Sequence, residues 1–357
     1  MPINVGLDIG TSAVRAAVVQ VGKGKPTLKG FGQVALPPGT VVGGEILDEG
    51  VMKDALSQLW KTAKLPKKRV VVGIANQKVI VRRIDLPYMS DEELRESLPF
   101  QAQEYIPMPV EEVTLDYVPL EEFTTPDGEP MMSILAVAAQ RTMTQDVIRM
   151  VDSVGAKVMA VDLQAFALVR AAFGIESEAE KDPVAFVDIG GSITQVTVVK
   201  DGTVRFLRIL PLGGEDFSTA LADEMGLSHE QADQLKRRVG VAIEGDPSGS
   251  DSEDEARRVL TRTAVQLIDD VRGSIEYYLS QSSGESVGTV LIAGNGARLP
   301  HLANRLGRSL GVEIAPVKML DESRFIISPK IGLSETELQT AQPVLAVPAG
   351  LALWNDK

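Results

Sequence analysis

The sequence predicts a duplicated α/β protein, two related lobes with a smaller α+β module inserted into the first. Three observations carry this expectation. The stretch GLDIGTSAVRAAVV from Gly6 is written again as FVDIGGSITQVTVV from Phe186. Aligned without a gap, Asp8, Ile9, Gly10, Ser12, Val18 and Val19 recur as Asp188, Ile189, Gly190, Ser192, Val198 and Val199. Each copy opens a β-hairpin and leads to a later β-α pair, and the chain between the copies changes character near residue 86. A length of 357 residues also exceeds one ordinary core and suits two domains.

Taken in order, NVGLDIG reads as a strand, and AVRAAVVQV and PTLKGFGQVAL as two more. Gly and Pro punctuate them, which predicts an antiparallel meander. DEGVMKDALSQLWKTAKL has apolar residues at helical spacing, and RVVVGIA is a buried type of strand. After VIVRRIDLP, Ser90 and Glu93 form a capping-box signature ahead of ELRESLPFQAQEYI. VTLDYVPL and SILAVAAQ read as strands about the turn TTPDGEP, and RTMTQDVIRMVDSVG as a helix ended by Gly155. AKVMAVD returns to a strand, LQAFALVRAAFG to a helix, and IESEAEKDP is a polar hinge.

The second lobe starts at VAFVDIG. ITQVTVV and VRFLRIL form a hairpin across Asp201-Gly202, a strong turn dipeptide. GGEDFSTALADEMG and SHEQADQLKRRVG read as helices, and the acidic, Gly/Ser-rich EGDPSGSDSEDE as a mobile loop. A long amphipathic helix runs through Tyr278, followed by the strand SVGTVLIAG and a final helix PVLAVPAGLALW.

Composition excludes several classes of function. Apolar residues make up 44% of the chain, ample for a sizeable core, and the formal charge is −13. That charge argues against a general nucleic-acid or anionic-membrane surface, which needs clustered Lys and Arg. With no cysteine there is no disulfide, thiolate nucleophile or zinc–thiolate site. The two histidines, His229 and His301, do not suffice for a His-rich metal site. MPINVGLDIG has no basic segment followed by an apolar one, so no signal peptide is expected. No run of about 18 apolar residues exists to span a bilayer. The expected location is the cytoplasm.

The repeated turn is the strongest chemical signal. In both copies a strand ends in Asp-Ile-Gly and a Ser follows two positions on. Gly10 and Gly190 leave no side chain in the way, and backbone N–H groups in such a turn converge on a phosphate as a nest does. Thr11, Ser12 and Ser192 add hydroxyls. Asp8 and Asp188 repel phosphate directly; their sensible role is to hold Mg²⁺ or its waters, since Mg²⁺ prefers oxygen and keeps several waters. Two such turns facing each other grip a nucleotide from both sides. LIAGNGARLP is a third glycine turn, in which Gly294 and Gly296 either admit a base or ribose or only make a tight βα turn. Asp233 and Lys236 lie three apart on a helix, as an exposed ion pair or with Lys236 reaching the ribose or adenine.

In combination these motifs resemble the actin-like ATPase superfamily. LDIGTSAV, MAVDLQAFAL, FVDIGGSITQV, LIAGNGARLP and VPAGLAL stand in the order of its first phosphate loop, first connecting helix, second phosphate loop, adenosine motif and second connecting helix. Within it the chain resembles the PilM family of type IV pilus assembly proteins, through FQAQEYIPMPVEEVTLDYVPL and through Gly213, Gly214, Phe217 and Ser218 of ILPLGGEDFSTALA. The likeness covers essentially the whole chain. It implies an actin-like ATPase fold, two RNase H-like domains with an inserted α+β subdomain. Residues 1–85 are expected as the first part of subdomain 1A, 86–155 as 1C, and 156–182 as 1A with its connecting helix. Residues 183–212 begin 2A, 213–260 form 2B, 261–335 return to 2A with the adenosine motif, and 336–357 form the C-terminal connecting helix of 1A.

The resemblance also implies ATP and Mg²⁺. Gly10, Thr11, Ser12 and Ala13 face the phosphates on one side, and Gly190, Gly191 and Ser192 on the other. Asp8 and Asp188 hold the metal shell through water. Gly294, Gly296 and Ala297 line the base pocket with Lys236 nearby, and Gly213 and Gly214 approach the nucleotide backbone-first. Gln164, with Asp162 doing related work, is the candidate for positioning the attacking water; the plain alternative for Gln164 is a polar residue at a helix start. No general base or arginine finger is identifiable, so hydrolysis is expected to be slow or absent. The implied partner is the N-terminal cytoplasmic peptide of inner-membrane PilN, held between 1A and 1C. RRIDLPYM from Arg82 and the segment from Phe100 to Pro109 flank that groove, with Leu86, Pro87, Tyr105 and Ile106 as contributors. Other pilus inner-membrane proteins and self-association are further expected contacts. The alternative is an FtsA-like division protein that polymerises with ATP. The end of the chain at WNDK, with no amphipathic tail, favours the pilus reading and implies membrane attachment through a partner. A metabolite kinase lacks its catalytic Asp site here, and a Rossmann dehydrogenase lacks G-x-G-x-x-G after the first strand.

Overall fold

A computed structural model of the chain describes residues 2–173, 182–243, 249–282, 285–320 and 324–355. The first lobe opens with β1 (Ile3–Ile9), β2 (Ala13–Gln20) and β3 (Thr27–Ala35), paired antiparallel as the Gly/Pro punctuation predicts. A short hairpin follows, β4 (Val41–Val42) and β5 (Glu45–Ile46). Next come α1 (Glu49–Thr62), capped by Asp48, and β6 (Val70–Ile74), parallel to β1.

The inserted module contains β7 (Val79–Pro87), α2 (Asp91–Gln101), β8 (Val113–Thr124), β9 (Pro130–Gln140) and α3 (Arg141–Ser153). Its sheet has the order β7-β9-β8. The capping box is present as expected: Ser90 accepts from the Glu93 N–H, and Glu93 accepts from the Ser90 N–H. Then β10 (Val158–Leu163) pairs parallel to β6, and α4 (Gln164–Phe173) follows.

The second lobe runs β11 (Val184–Ile189), β12 (Thr194–Lys200), β13 (Thr203–Leu210), α5 (Gly214–Met225), α6 (His229–Val239) and α7 (Asp251–Ser280). It continues through β14 (Thr289–Ala293), α8 (Leu302–Leu310) and β15 (Glu313–Pro316); β16 (Ile326–Ile327), expected in the second lobe, and α9 (Glu335–Ala352) return to the first, β16 pairing with β3. The turn between β12 and β13 places Asp201 and Gly202 at φ 51° and 71°, the positive pair that a type I′ hairpin requires.

The duplication extends to topology. The first sheet has the order β10-β6-β1-β2-β3-β16 and the second β13-β12-β11-β14-β15. In each, the Asp-bearing strand pairs antiparallel with the next strand and parallel with a later one. β1 and β11 are central and buried on both faces, which is why they read as apolar runs without alternation.

Two further elements differ from expectation. The loop predicted over EGDPSGSDSEDE ends at Ser250, because Ser250 accepts from the Glu253 N–H and the acidic residues after it form the first turn of α7; residues 244–248 lie outside the described residues. Most of the polar hinge, residues 175–181, also lies outside them. Helix α9 starts earlier than its two prolines suggest, since Ser334 and Glu337 form a capping box. Among the described residues no helix is long and apolar enough to cross a membrane.

Helix α9 packs across β1 and against α4 at backbone distance. A Cβ on Gly350 would stand 1.8 Å from the carbonyl oxygen of Ala167. Gly350→Ala is therefore expected to destabilise the chain by about 2–3 kcal/mol through forced separation of the two helices. Urea unfolding checks this, and an unchanged midpoint would contradict the close crossing.

Candidate functional site

Both aspartate-bearing strands end in the same closed turn. β1 reverses through Gly10, Thr11 and Ser12, and the Gly10 N–H donates to the Ala13 carbonyl at 3.1 Å. β11 reverses through Gly190, Gly191 and Ser192, and the Gly190 N–H donates to the Ile193 carbonyl at 2.9 Å. The two turns touch. Thr11 Oγ1 and Ser192 Oγ are 2.8 Å apart, and the Ser192 N–H donates to Thr11 Oγ1 at 3.2 Å. The tip of the β4–β5 hairpin joins them, with the Gly43 N–H donating to Ser192 Oγ at 3.1 Å. Gly191 is required by this approach: a Cβ there would sit 2.7 Å from Thr11 Cβ.

Beneath the turns lies a polar cluster buried between apolar strands. Strand register places Arg15 opposite Asp8 and Gln195 opposite Asp188. Arg15 Nη1 donates to Asp8 Oδ2 at 3.3 Å. Gln164 Nε2 donates to Asp8 Oδ1 at 2.8 Å, and Gln195 Nε2 contacts Asp188 Oδ2 and Gln164 Oε1 at 3.4 Å each. Burial raises the pKa of Asp8 despite the opposing Arg15 charge. Burial, then the charge of Asp8, pushes Asp188 up to about 7, with Arg15 opposing. Two carboxylates share one cation, so the cluster favours an added positive charge.

Three cavities matter. The first, about 70 Å³, is lined by Asp8, Gly10, Thr11, Ser12, Arg15, Gln164, Asp188, Gly190, Gly191, Gln195, Gly294 and the hairpin residue Gly44, among others. The second, about 240 Å³, adjoins it and shares Ser12, Gly190 and Gly191. Its further walls include Gly214, Gly296 and Lys236. Lys236 Nζ pairs with Asp233 at 2.8 Å and donates to the Gly214 carbonyl at 2.8 Å and to Ser218 Oγ at 2.7 Å. The ion pair and the approach to the cavity thus coexist. Gly213 lies behind the second turn, where a Cβ would meet the Gly191 carbonyl oxygen at 2.4 Å. The N-terminus of α5 is tied to that turn through Gly214 N–H to Gly190 O and Glu215 N–H to Gly191 O.

Five expected residues do not line these two cavities: Ser192, which contacts Thr11 and Gly43, Gly213 behind the second turn, and Ala13, Ala297 and Asp162. Ala13 is buried as the first residue of β2. Ala297 packs against the apolar core of the second lobe. Asp162 lies away from the cleft: its Oδ2 accepts from Arg170 Nη2 at 2.9 Å and it lines the third cavity, so it does not reach the water site assigned to it from sequence. Sheet position is the reason: register puts Asp162 level with Gly73 and Asp8, but β10 is the edge strand, two strands away from β1. Leu86 and Ile106, expected in the peptide groove, are instead core residues of the inserted module. An apolar side chain in a strand or tight turn fits either place, and only packing decides.

Several functional candidates went unremarked in the sequence. Arg15 and Gln195 carry a signal that could have been read: each stands seven residues after its aspartate, in equivalent places of the two copies. His229 and Glu215, 2.8 Å apart, also wall the second cavity. The third cavity, about 460 Å³, opens between the inserted sheet and α4, lined by Asp116, Val118, Val137, Ala139, Phe166, Arg170 and Trp354 among others.

The pattern that defines the family described as Type IV pilus assembly protein PilM matches residues 6–355. A chain of a solved PilM-PilN type IV pilus biogenesis complex is 26% identical, covers 98% of this chain and 97% of its own length, and superposes with a TM-score of 0.83. The cell division protein FtsA of Bacillus subtilis is 25% identical over 263 residues, which are 67% of this chain and 58% of the relative. The FtsA of Pseudomonas aeruginosa matches over 61% of its length at 24% identity. The chain therefore spans about three fifths of these curated relatives. MreB5 of Spiroplasma citri, solved bound to AMPPNP, shares the fold at 14% identity, with a TM-score of 0.51 and coverage of 89% and 92%.

Proposed function

The chain belongs to the type IV pilus assembly protein PilM family, and from that premise we propose that it is an ATP-binding scaffold that holds the N-terminal cytoplasmic peptide of an inner-membrane PilN. Its fold is that of the actin-like ATPases. In the subdomain scheme, 1A is the first sheet with α1, α4 and α9, and 1C is the inserted module, including all of β7. The second sheet is 2A, with α5 and α6 in 2B. The protein reaches the membrane through its partner.

One observation carries the nucleotide reading. Two copies of one turn meet at the Thr11–Ser192 contact, above two buried aspartates that face the same cavity. The residues fit ATP with Mg²⁺. Gln195 lines that cavity, and its Oε1 is buried with no hydrogen-bond partner among the described residues. The ligands on offer are all oxygens, and the described residues contain no cluster of three or more His, Cys, Asp or Glu for a metal. That suits a cation held by water and phosphate rather than by a protein cage. Bound Mg²⁺ would supply charge neutralisation between the phosphates and Asp8 and Asp188. Gly10, Thr11 and Ser12 hold phosphate oxygens from one side and Gly190, Gly191 and Ser192 from the other. The adjoining cavity takes the ribose and base against Gly214, Gly296 and Lys236.

Gln164 orients water only if it is freed. Its amide nitrogen is held by Asp8 and its oxygen by Gln195. Hydrolysis is accordingly slow or absent, and the protein acts by holding partners rather than by turnover.

The PilN peptide lies in the third cavity, between 1C and α4. Its floor is Val118, Val137, Ala139 and Phe166, and its polar anchors are Asp116, Asp162 and Arg170. An apolar floor with few charged anchors is what an extended peptide needs. Phe166→Ala is expected to weaken the synthetic N-terminal PilN peptide about tenfold in calorimetric titration. The reading fails if wild-type protein takes up no peptide with or without Mg-ATP.

A further inference from the structure

We propose that the exposed side of α2, from Tyr88 to Tyr105, docks a Lys/Arg-rich polypeptide segment that carries an apolar anchor. The starting observation is apolar exposure. Phe100 is 76% exposed, Tyr88 52% and Tyr105 42%. Large aromatics at that exposure on a rigid element mark a contact surface. The backbone beneath them is fixed: Leu94 and Leu98 pack on Ile84, Leu86 and Ile134, while Ala102 and Ile106 pack on Val113 and Ala138. These buried anchors leave Phe100 and Tyr105 pointing outward from a preorganised helix and turn, which lowers the ordering cost of docking.

Charge selects the occupant. Residues 88–129 contain twelve Asp or Glu and one basic residue, Arg95, in a chain of net charge −13. Arg95 is already committed, 3.0 Å from Asp91 and stacked 5.6 Å from the Tyr117 ring centroid. Glu92, Glu96, Glu104, Glu111 and Glu112 make no ion pair among the described residues. Glu92, Glu96, Phe100 and Glu104 follow at four-residue steps, so the aromatic ring stands between carboxylates along one exposed face. Such a face repels nucleic acid and anionic lipid. A second copy of this acidic chain is also disfavoured. A cationic segment gains charge complementarity at the rim and covers Phe100 with its own aromatic or aliphatic side chain.

This surface is separate from the groove. The groove meets one face of the β7-β9-β8 sheet, through Val118, Val137 and Ala139, and α2 covers the other face, through Ile84, Leu86 and Ile134. The inference therefore stands apart from the nucleotide and PilN readings.

The test uses the full chain and a labelled synthetic peptide of about a dozen residues, half of them Lys or Arg, with two Leu and one Trp. Fluorescence anisotropy at physiological salt is expected to show binding that weakens about tenfold in Phe100→Ser and about tenfold in the double variant Glu96→Lys, Glu104→Lys. Phe166→Ala, in the groove, leaves it unchanged. A version of the peptide with Glu for every Lys and Arg does not bind. If Phe100→Ser leaves affinity intact, attraction is mere charge and the docking surface is wrong. If the wild type fails to bind, the inference is overturned as well. Sedimentation velocity closes the remaining case: should Phe100→Ser dissolve a wild-type dimer, the occupant is a second copy and the proposed chemistry is wrong. Phe100, Glu96 and Glu104 are all solvent-exposed, so thermal unfolding of these variants is expected to match wild type.

Discussion

Gly190→Glu is expected to lower affinity for Mg-ATP by several hundredfold, the largest effect of any single change considered for this chain. The substituted carboxylate would stand where the second turn presents its backbone to phosphate. Two like charges about 4 Å apart at a partly buried surface repel by about 4 kcal/mol. Sterics must be separated from charge, because any Cβ at this position meets the Ile193 carbonyl oxygen at 2.8 Å. Gly190→Ala carries the same contact without the charge and is expected to lose about tenfold or less. Equilibrium binding of a fluorescent ATP analogue to all three proteins gives the answer. If the Glu and Ala variants bind equally, the second turn does not hold phosphate.

The second large effect concerns pH. Asp188 rises from an ordinary 3.8 to about 7, through burial first and the neighbouring Asp8 second. Between those values the folded protein keeps a proton that the unfolded chain has released. Stability therefore falls as pH rises from about 4 to about 7 and levels off above, by roughly 4 kcal/mol at most for this one group. Asp8, also raised by burial, acts in the same direction. Asp188→Asn removes the ionisation, so at pH 8 without divalent cations it is expected to be about 2–4 kcal/mol more stable than wild type. Its stability should also depend less on pH. Denaturant unfolding at pH 5 and pH 8 measures both quantities. An identical pH slope in the variant would show that Asp188 is already ionised at neutral pH. The same variant is expected to lose the Mg²⁺ dependence of ATP binding, so stability and ligand response move in opposite directions.

The double turn was legible in the sequence because its chemistry is local. Asp-Ile-Gly followed by Ser needs small residues where backbone must be bare, and the repetition separates a design from the common strand end. The topology of the second sheet followed from the same repetition. What did not follow was decided by long-range contact. Asp162 and Gln164 sit two residues apart across a strand-to-helix junction; β10 at the edge of the sheet leaves Asp162 with Arg170, and the turn into α4 carries Gln164 to Asp8. Leu86 and Ile106 looked suited to a groove floor, but hydrophobicity alone does not distinguish a floor from a core. The β4–β5 hairpin is too short to show periodicity, so its place over Ser192 had no readable signature. Arg15 and Gln195 were readable and passed over, each a polar residue inside an apolar strand.

The crossing of α9 over β1 bears on how the chain is made. Asn4 Nδ2 donates to the carbonyl of Ala352, 348 residues later. The opening strand of the first lobe thus leaves the ribosome long before the helix that covers it. The second lobe draws its sheet from one continuous stretch, β11 to β15, and can close while synthesis is still under way. The earlier-made half is then the later to mature, and until its lid arrives its central apolar strand is the part of the nascent protein that most needs a chaperone.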